Sequence, residues 1–130
     1  GLEPRVAFVS FSTFGYPVSE RAEKMHLAPE VLDKRGVSFE YEGEMAVDVA
    51  LNTHSMQAYP FSRLTGPANI LVVPARHSAS ISVKLMQEMA GATVIGPILA
   101  GVDESIQICS SVSTATDILN MAVLAACKVG

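Results

Sequence analysis

This 130-residue chain has no tryptophan, two cysteines, three histidines and only 6% aromatic residues. Nowhere do about 18 uncharged apolar residues follow one another, which excludes a membrane-spanning helix. There is no G-x-G-x-x-G and no Walker lysine, so a dinucleotide or nucleoside-triphosphate loop has no support. No G-x-S-x-G elbow is present either. His77 stands beside Ser78, but sequence neighbours rarely face each other productively, and a serine hydrolase is not expected. His26 and His54 are isolated and expected to be exposed. Acidic and basic residues are scattered, the formal charge is −4, and no basic patch alternates with aromatics; nucleic acid is not an expected partner. Repeats and low-complexity tracts are missing as well. Cys109 and Cys127 lie far apart in apolar surroundings. They are expected as buried thiols in a reducing compartment, not as a disulfide or metal pair. No signal peptide is visible and the first residue is Gly1, so the reading is a cytoplasmic piece of something longer.

What the chain has in abundance is apolar side chains, 49% of all residues, with a mean hydropathy of +0.34. That suffices for one domain with a core of its own. The excess is assigned to strands covered on both faces and to a subunit surface, predicting a homo-oligomer, at least a dimer.

Residues 5–11 are near-continuously apolar and predict a buried strand, followed by a loop of small hydroxyls and Gly15 up to Pro17. Residues 19–35 predict a helix closed by Gly36 and broken or kinked by Pro29 after Leu27. Residues 37–42 alternate as a second strand does, 43–51 predict a short helix or turn, and 52–65 an irregular connection. A buried strand at 70–73 ends at Pro74 and leads into a helix over 78–90. Residues 93–98 and 105–109 predict a fourth and a fifth strand. The last helix is predicted from Ser113 or Thr114 to Lys128, with Thr114 and Asp117 at capping-box spacing. Strands separated by helices give an α/β fold, a mostly parallel sheet flanked by helices.

Two loops offer anion chemistry. Ser10, Ser12, Thr13 and Gly15 follow the first strand, where small residues let backbone N–H groups approach an anion; an ordinary strand-to-helix turn has the same composition. Ser110, Ser111, Ser113 and Thr114 precede the last helix, where capping explains one or two of the hydroxyls. Glu42, Glu44 and Asp48 form an acidic cluster around Gly43. Paired carboxylates suit acid–base work or a hard metal, yet a solvated strand end is the expectation, since no histidine lies nearby at ligand spacing. The six methionines, Met25, Met45, Met56, Met86, Met89 and Met121, read as core or interface filler.

Several motifs together resemble the phosphotransacetylase family, most closely the version fused to bacterial NADP-dependent malic enzymes. Pro4 to Ser10 with Ser12, Thr13, Phe14 and Gly15 is similar to its PRVAxLSxSxxG opening. Glu42, Gly43, Glu44 and Met45 with Asp48 and Ala50 resemble DGEMxxDxAL, and residues 66–74 resemble its G-x-ANxLxxP block. Ile95 to Leu99 with Gly101 matches a further block, and Asp117 to Met121 resembles the malic-enzyme branch. The resemblance implies the second lobe of a phosphotransacetylase, with an isocitrate-dehydrogenase-like fold, and makes residues 1–130 the C-terminal part of such a domain. The family's loop D-L-S-R-G-C-S puts its serine on Ser110 and its arginine on Ser111, with its aspartate kept as Asp117. Serine cannot replace a bidentate guanidinium on phosphate.

The resemblance therefore implies a regulatory, acetyl-CoA-binding and oligomerising module, not catalytic alone. Its ligand cleft would draw on Ser10, Ser12, Thr13, Gly15, Ser110, Ser111 and Asp117, with Ser110 and Asp117 as vestigial catalytic positions. The parent would be an NADP-dependent malate dehydrogenase (decarboxylating), using NADP and a divalent metal (Mg or Mn) held elsewhere. The competing implication is a fragment of an active phosphate acetyltransferase that moves acetyl between CoA and phosphate. A purely structural dimerisation lobe is the third.

Overall fold

The computed structural model describes residues 1–127 and resolves two compact units, residues 1–81 and the residues from Ser82 onward. In the first unit β1 (Arg5–Val9), β2 (Glu40–Met45) and β3 (Ile70–Val72) form a parallel sheet in the order β2-β1-β3. Its helices are α1 (Glu20–Arg35), α2 (Val47–Leu51) and α3 (Thr53–Met56). The α/β class is as expected, with three strands among the described residues instead of five.

α1 begins at Ser19, whose hydroxyl oxygen accepts the Arg21 N–H at 3.3 Å. It ends at Gly36 in the left-handed region (φ 62°), whose N–H returns to the Leu32 carbonyl at 3.0 Å. Contrary to expectation, the helix continues through Pro29. Ala22, Met25 and Pro29 are buried at i, i+3 and i+7 spacing, and the helix packs on β1 and β2. That packed face holds the helix despite the backbone hydrogen bond that proline removes.

Asn69 joins β3 to β1. Its side-chain oxygen accepts the Arg5 N–H at 2.8 Å, its side-chain nitrogen donates to the Glu3 carbonyl at 2.8 Å, and its own N–H donates to the Arg5 carbonyl at 3.0 Å. Below the sheet, Ala7, Val9, Met45, Val49, Ala50, Leu64 and Ala68 make the buried core. β3, expected to be buried, is exposed along its length. It is an edge strand whose substantial packing is with β1 alone.

The register of β1 against β2 contains one irregularity that matters for function. Phe8 pairs with Gly43 but Val9 pairs with Met45, which leaves Glu44 as the extra residue of a bulge. A bulge re-aims the side chain it carries. Here the neighbouring loop completes the backbone pairing: the Phe14 N–H donates to the Glu44 carbonyl at 2.8 Å, and the Ser10 N–H to the Met45 carbonyl at 2.9 Å.

α4 (Arg76–Ala90) begins two residues before the expected helix, and no residue in it is buried. The second unit holds α5 (Ala115–Ala126). Residues 93–98 and 105–109 are not strands. A strand requires a ladder partner, and the link here is a side chain. The Leu99 N–H donates to the Gln107 carbonyl oxygen at 3.0 Å, and the Gln107 amide nitrogen donates to the Leu99 carbonyl at 3.3 Å. Cys109 and Cys127 are free and exposed instead of buried, because neither a sheet nor a helix face covers them. Met25, Met45 and Met121 are buried as expected, whereas Met86 and Met89 are exposed. The predicted end of the last helix at Lys128 lies outside the described residues.

Candidate functional site

Glu44, only 1% exposed, is the centre of the first unit's polar cluster. Its Oε1 accepts the Gly15 N–H at 2.7 Å and the hydroxyl of Ser12, itself fully buried, at 3.0 Å. His26 Nδ1 on α1 lies 2.6 Å from Oε2. Desolvation alone would raise the pKa of this carboxyl. The Gly15 N–H, His26 and the Ser12 hydroxyl outweigh it and hold the acid below its ordinary value. Glu44 is therefore ionised at neutral pH, and an ionised carboxylate has no proton to give. Nδ1 must carry the hydrogen of the His26 contact. This corrects two expectations: the Glu42–Glu44 segment is a buried polar centre and not a solvated strand end, and His26 is not isolated.

The loop that supplies the donors is shaped for the task. Thr13 and Tyr16 exchange backbone hydrogen bonds of 2.8 and 3.1 Å across a tight turn, with Phe14 (φ 49°) and Gly15 (φ 84°) both left-handed. Phe14 tolerates that conformation while its ring packs on Tyr59 and Phe61, at centroid distances of 5.3 and 4.9 Å. Thr13 fixes the loop to β2 by accepting the Ala46 N–H at 2.9 Å. Of the expected anion ligands in this loop, Ser10 is half-buried beside Ser12, and the Ser12 and Gly15 donors face Glu44. The anion nearest these donors belongs to the protein.

Glu42 is also buried, 6% exposed, and serves a second function. Its Oε2 accepts the Arg63 N–H at 2.9 Å, and its Oε1 accepts the Gly43 N–H at 3.1 Å. Arg63 Nη1 donates to Asp33 at 2.7 Å, and the guanidinium lies 5.0 Å from the centre of the Tyr41 ring. The Tyr41 hydroxyl, then Arg63, hold the Asp33 carboxyl below its ordinary value. This group anchors the 52–65 connection to the end of α1.

An open cleft of about 320 Å³ lies beside Glu44, between the loop and the first turns of α1. Pro17, Val18 and Ala22 give it a largely apolar wall, Glu20 and Glu23 stand at α1, and His26 and Glu44 supply the inner polar group. The His26 side chain is 52% exposed.

Ser110, Ser111 and Asp117 belong to the second unit and lie around the start of α5. Asp117 closes a capping box: its Oδ2 accepts the Thr114 N–H and the Thr114 hydroxyl, each at 2.8 Å, and its own N–H donates back to Thr114 Oγ1 at 3.2 Å. The Thr114 N–H, then its hydroxyl, lower the Asp117 pKa. Ser110 accepts the Val112 N–H at 3.3 Å, and Ser111 is exposed. Among the described residues no group of three or more histidine, cysteine, aspartate or glutamate side chains is arranged to hold a metal ion. No helix among them is long and apolar enough to cross a membrane.

Residues 1–126 match the family described as phosphate acetyl/butaryl transferase. The chain belongs to that family. The NADP-dependent malic enzyme of Rhizobium meliloti is 55% identical over 130 residues, all of this chain and 17% of that enzyme. The phosphate acetyltransferase of Clostridium acetobutylicum is 34% identical over 125 residues, 95% of this chain and 37% of that protein. Among solved structures, the EutD phosphotransacetylase from Staphylococcus aureus superposes with a TM-score of 0.85 at 27% identity, over 97% of this chain and 40% of that one. The chain is thus homologous to the phosphotransacetylase-like part of NADP-dependent malic enzymes and spans less than half of each of these relatives. Sequence reasoning within the family missed Glu44 and His26 as partners. Gly43 beside two glutamates was the only local signal, because a flexible residue between carboxylates marks a place where a strand can bulge.

Proposed function

We propose that this phosphate acetyl/butaryl transferase-family chain is the regulatory, acetyl-CoA-binding and oligomerising part of an NADP-dependent malic enzyme. The observation that carries the reading is the 55% identity to such an enzyme along the whole chain. The parent would decarboxylate malate oxidatively to pyruvate, with NADP and a divalent metal (Mg or Mn) bound outside this chain. Acetyl-CoA or a related CoA ester would be the effector. Ser111, standing where the resemblance puts an arginine, favours binding over acetyl transfer. The exposed Ile70, Leu71 and Val72 of the first unit, and Ile118, Leu119 and Val123 of the second, support a role in self-association.

Coupling requires that the effector bind two states of the enzyme unequally. Malate-dependent NADP reduction by the intact polypeptide, with and without acetyl-CoA, tests this. Activity on malate that falls with acetyl-CoA is expected, as is a thermal midpoint that rises with acetyl-CoA concentration. The relation to the Clostridium acetobutylicum phosphate acetyltransferase supports a second reading, an acetyl-transferring enzyme. Acetyl phosphate formation without activity on malate would establish that alternative.

A further inference from the structure

We propose that residues 62–66 form an acid-released strap, held over the first unit's core by the carboxylates of Asp33, Glu40 and Glu42 and freed when these are protonated. The strap lies wholly within the first unit, and its release needs no acetyl-CoA. Among the described residues, positions 63–67 make no backbone-to-backbone hydrogen bond. Side chains tie this stretch down instead. The Arg63 N–H donates to Glu42 Oε2 at 2.9 Å, the Thr65 N–H to Glu40 Oε2 at 3.0 Å, and the Thr65 hydroxyl to Glu40 Oε1 at 2.8 Å. Arg63 Nη1 adds the 2.7 Å contact with Asp33. The remaining ties are the Leu64 N–H to the Ser62 hydroxyl at 3.3 Å, within the strap, and Arg5 Nε to the Pro67 carbonyl at 2.8 Å. Leu64, a core residue only 6% exposed, sits between the two residues that the carboxylates hold.

The count of acceptors makes the strap sensitive to acid. Glu40 spends both oxygens on Thr65, and Glu42 spends its second on the Gly43 N–H at 3.1 Å. Asp33 Oδ1 accepts from both Arg63 and the Tyr41 hydroxyl. A proton turns one carboxyl oxygen into a donor and removes the charge that strengthens every one of these bonds. Arg63 of the strap and Arg5 of β1 are the cations that face the group, and both favour the ionised acids. The Thr65 N–H, then its hydroxyl, hold Glu40 below its ordinary value of 4.5. The Tyr41 hydroxyl, then Arg63, do the same for Asp33. Both contributions are complete at neutral pH and are lost as the pH falls through the lowered values. Release frees Leu64 and opens the pocket of about 190 Å³ that Leu64, Thr65 and Gly66 share with Thr53 and Met56 of α3.

Hydrogen exchange of the intact polypeptide, read by mass spectrometry and corrected for the intrinsic pH dependence of amide exchange, tests the strap. Between about pH 7 and about pH 3.5, protection of residues 63–66 should fall about tenfold or more while that of residues 6–9 in β1 holds. Glu40→Gln is the discriminating variant, because it offers one acceptor oxygen in place of two and carries no charge. At neutral pH it should lower protection of residues 63–66 severalfold and leave β1 as in wild type. Loss of protection in both segments together as the pH falls would mean global acid unfolding and overturn the strap. So would a Glu40→Gln protein whose residues 63–66 exchange as in wild type at neutral pH.

Discussion

The Gly15 backbone nitrogen lies 2.7 Å from Glu44 Oε1, so a loop with the composition of an anion-binding turn is closed on a carboxylate from the neighbouring strand. The loop, β2 and α1 meet at this one buried acid, since Ser12 and His26 donate to it as well. Four expectations follow from this arrangement and from the caps and close approaches around it.

Glu44→Ala leaves three donors facing an empty buried position and should cost about 3 kcal/mol in urea unfolding. Glu44→Gln keeps one acceptor oxygen for Ser12 and Gly15, and His26 can accept from the new amide in its other tautomer. It should cost about 1 kcal/mol. Equal losses for the two variants would mean that the hydrogen bonds to Oε1 contribute nothing.

The same acid gives a pH dependence with a definite sign. Its folded pKa lies below the ordinary value of 4.5, so its contribution is complete above that value and is lost as the pH falls through the folded pKa. The stability difference between wild type and Glu44→Gln should therefore be constant at neutral pH and narrow below pH 4.5. Asp33, Glu40 and Asp117 are depressed in both proteins and cancel from the comparison. A difference that persists undiminished to roughly pH 3 contradicts the assignment.

Gly43→Ala should be among the most damaging single changes. An added Cβ would sit 2.6 Å from the Phe8 carbonyl oxygen and 2.8 Å from Phe8 Cβ, and the position has φ 152°. Backbone cannot yield as a side-chain tip does, so β1 and β2 must separate locally. A loss of about 3 kcal/mol is expected, with accelerated amide exchange in residues 8–10 and 43–46. Stability within about 0.5 kcal/mol of wild type would show that the sheet adjusts freely.

Thr114→Ala removes the hydroxyl that accepts the Asp117 N–H and should cost about 1 kcal/mol, while Thr114→Ser should be nearly neutral. Thermal unfolding of both variants measures the difference. Equal midpoints for the two would exclude the cap as a contributor.

Local chemistry was readable wherever one residue and its near neighbours decide the outcome. Ser19 and Gly36 as helix ends, Thr114 with Asp117 as a capping box, and the apolar runs at 5–9 and 70–72 all follow from side-chain and backbone preferences within a few positions. Pro29 was misread because the rule that proline breaks a helix carries no information about a buried face. Ala22 and Met25 supply that face only once α1 lies on the sheet.

By itself the sequence determined the α/β class, the order of most elements and the family, because periodicity, caps and short motifs are properties of contiguous residues. Tertiary structure alone decided that Glu44 is buried and ionised, that His26 is its partner 18 positions away, and that Ser12 and Gly15 face inward. The physical reason is the bulge. A single extra residue between the pairs Phe8–Gly43 and Val9–Met45 turns one side chain out of the ladder, and register is a relation between two strands that neither strand's sequence records.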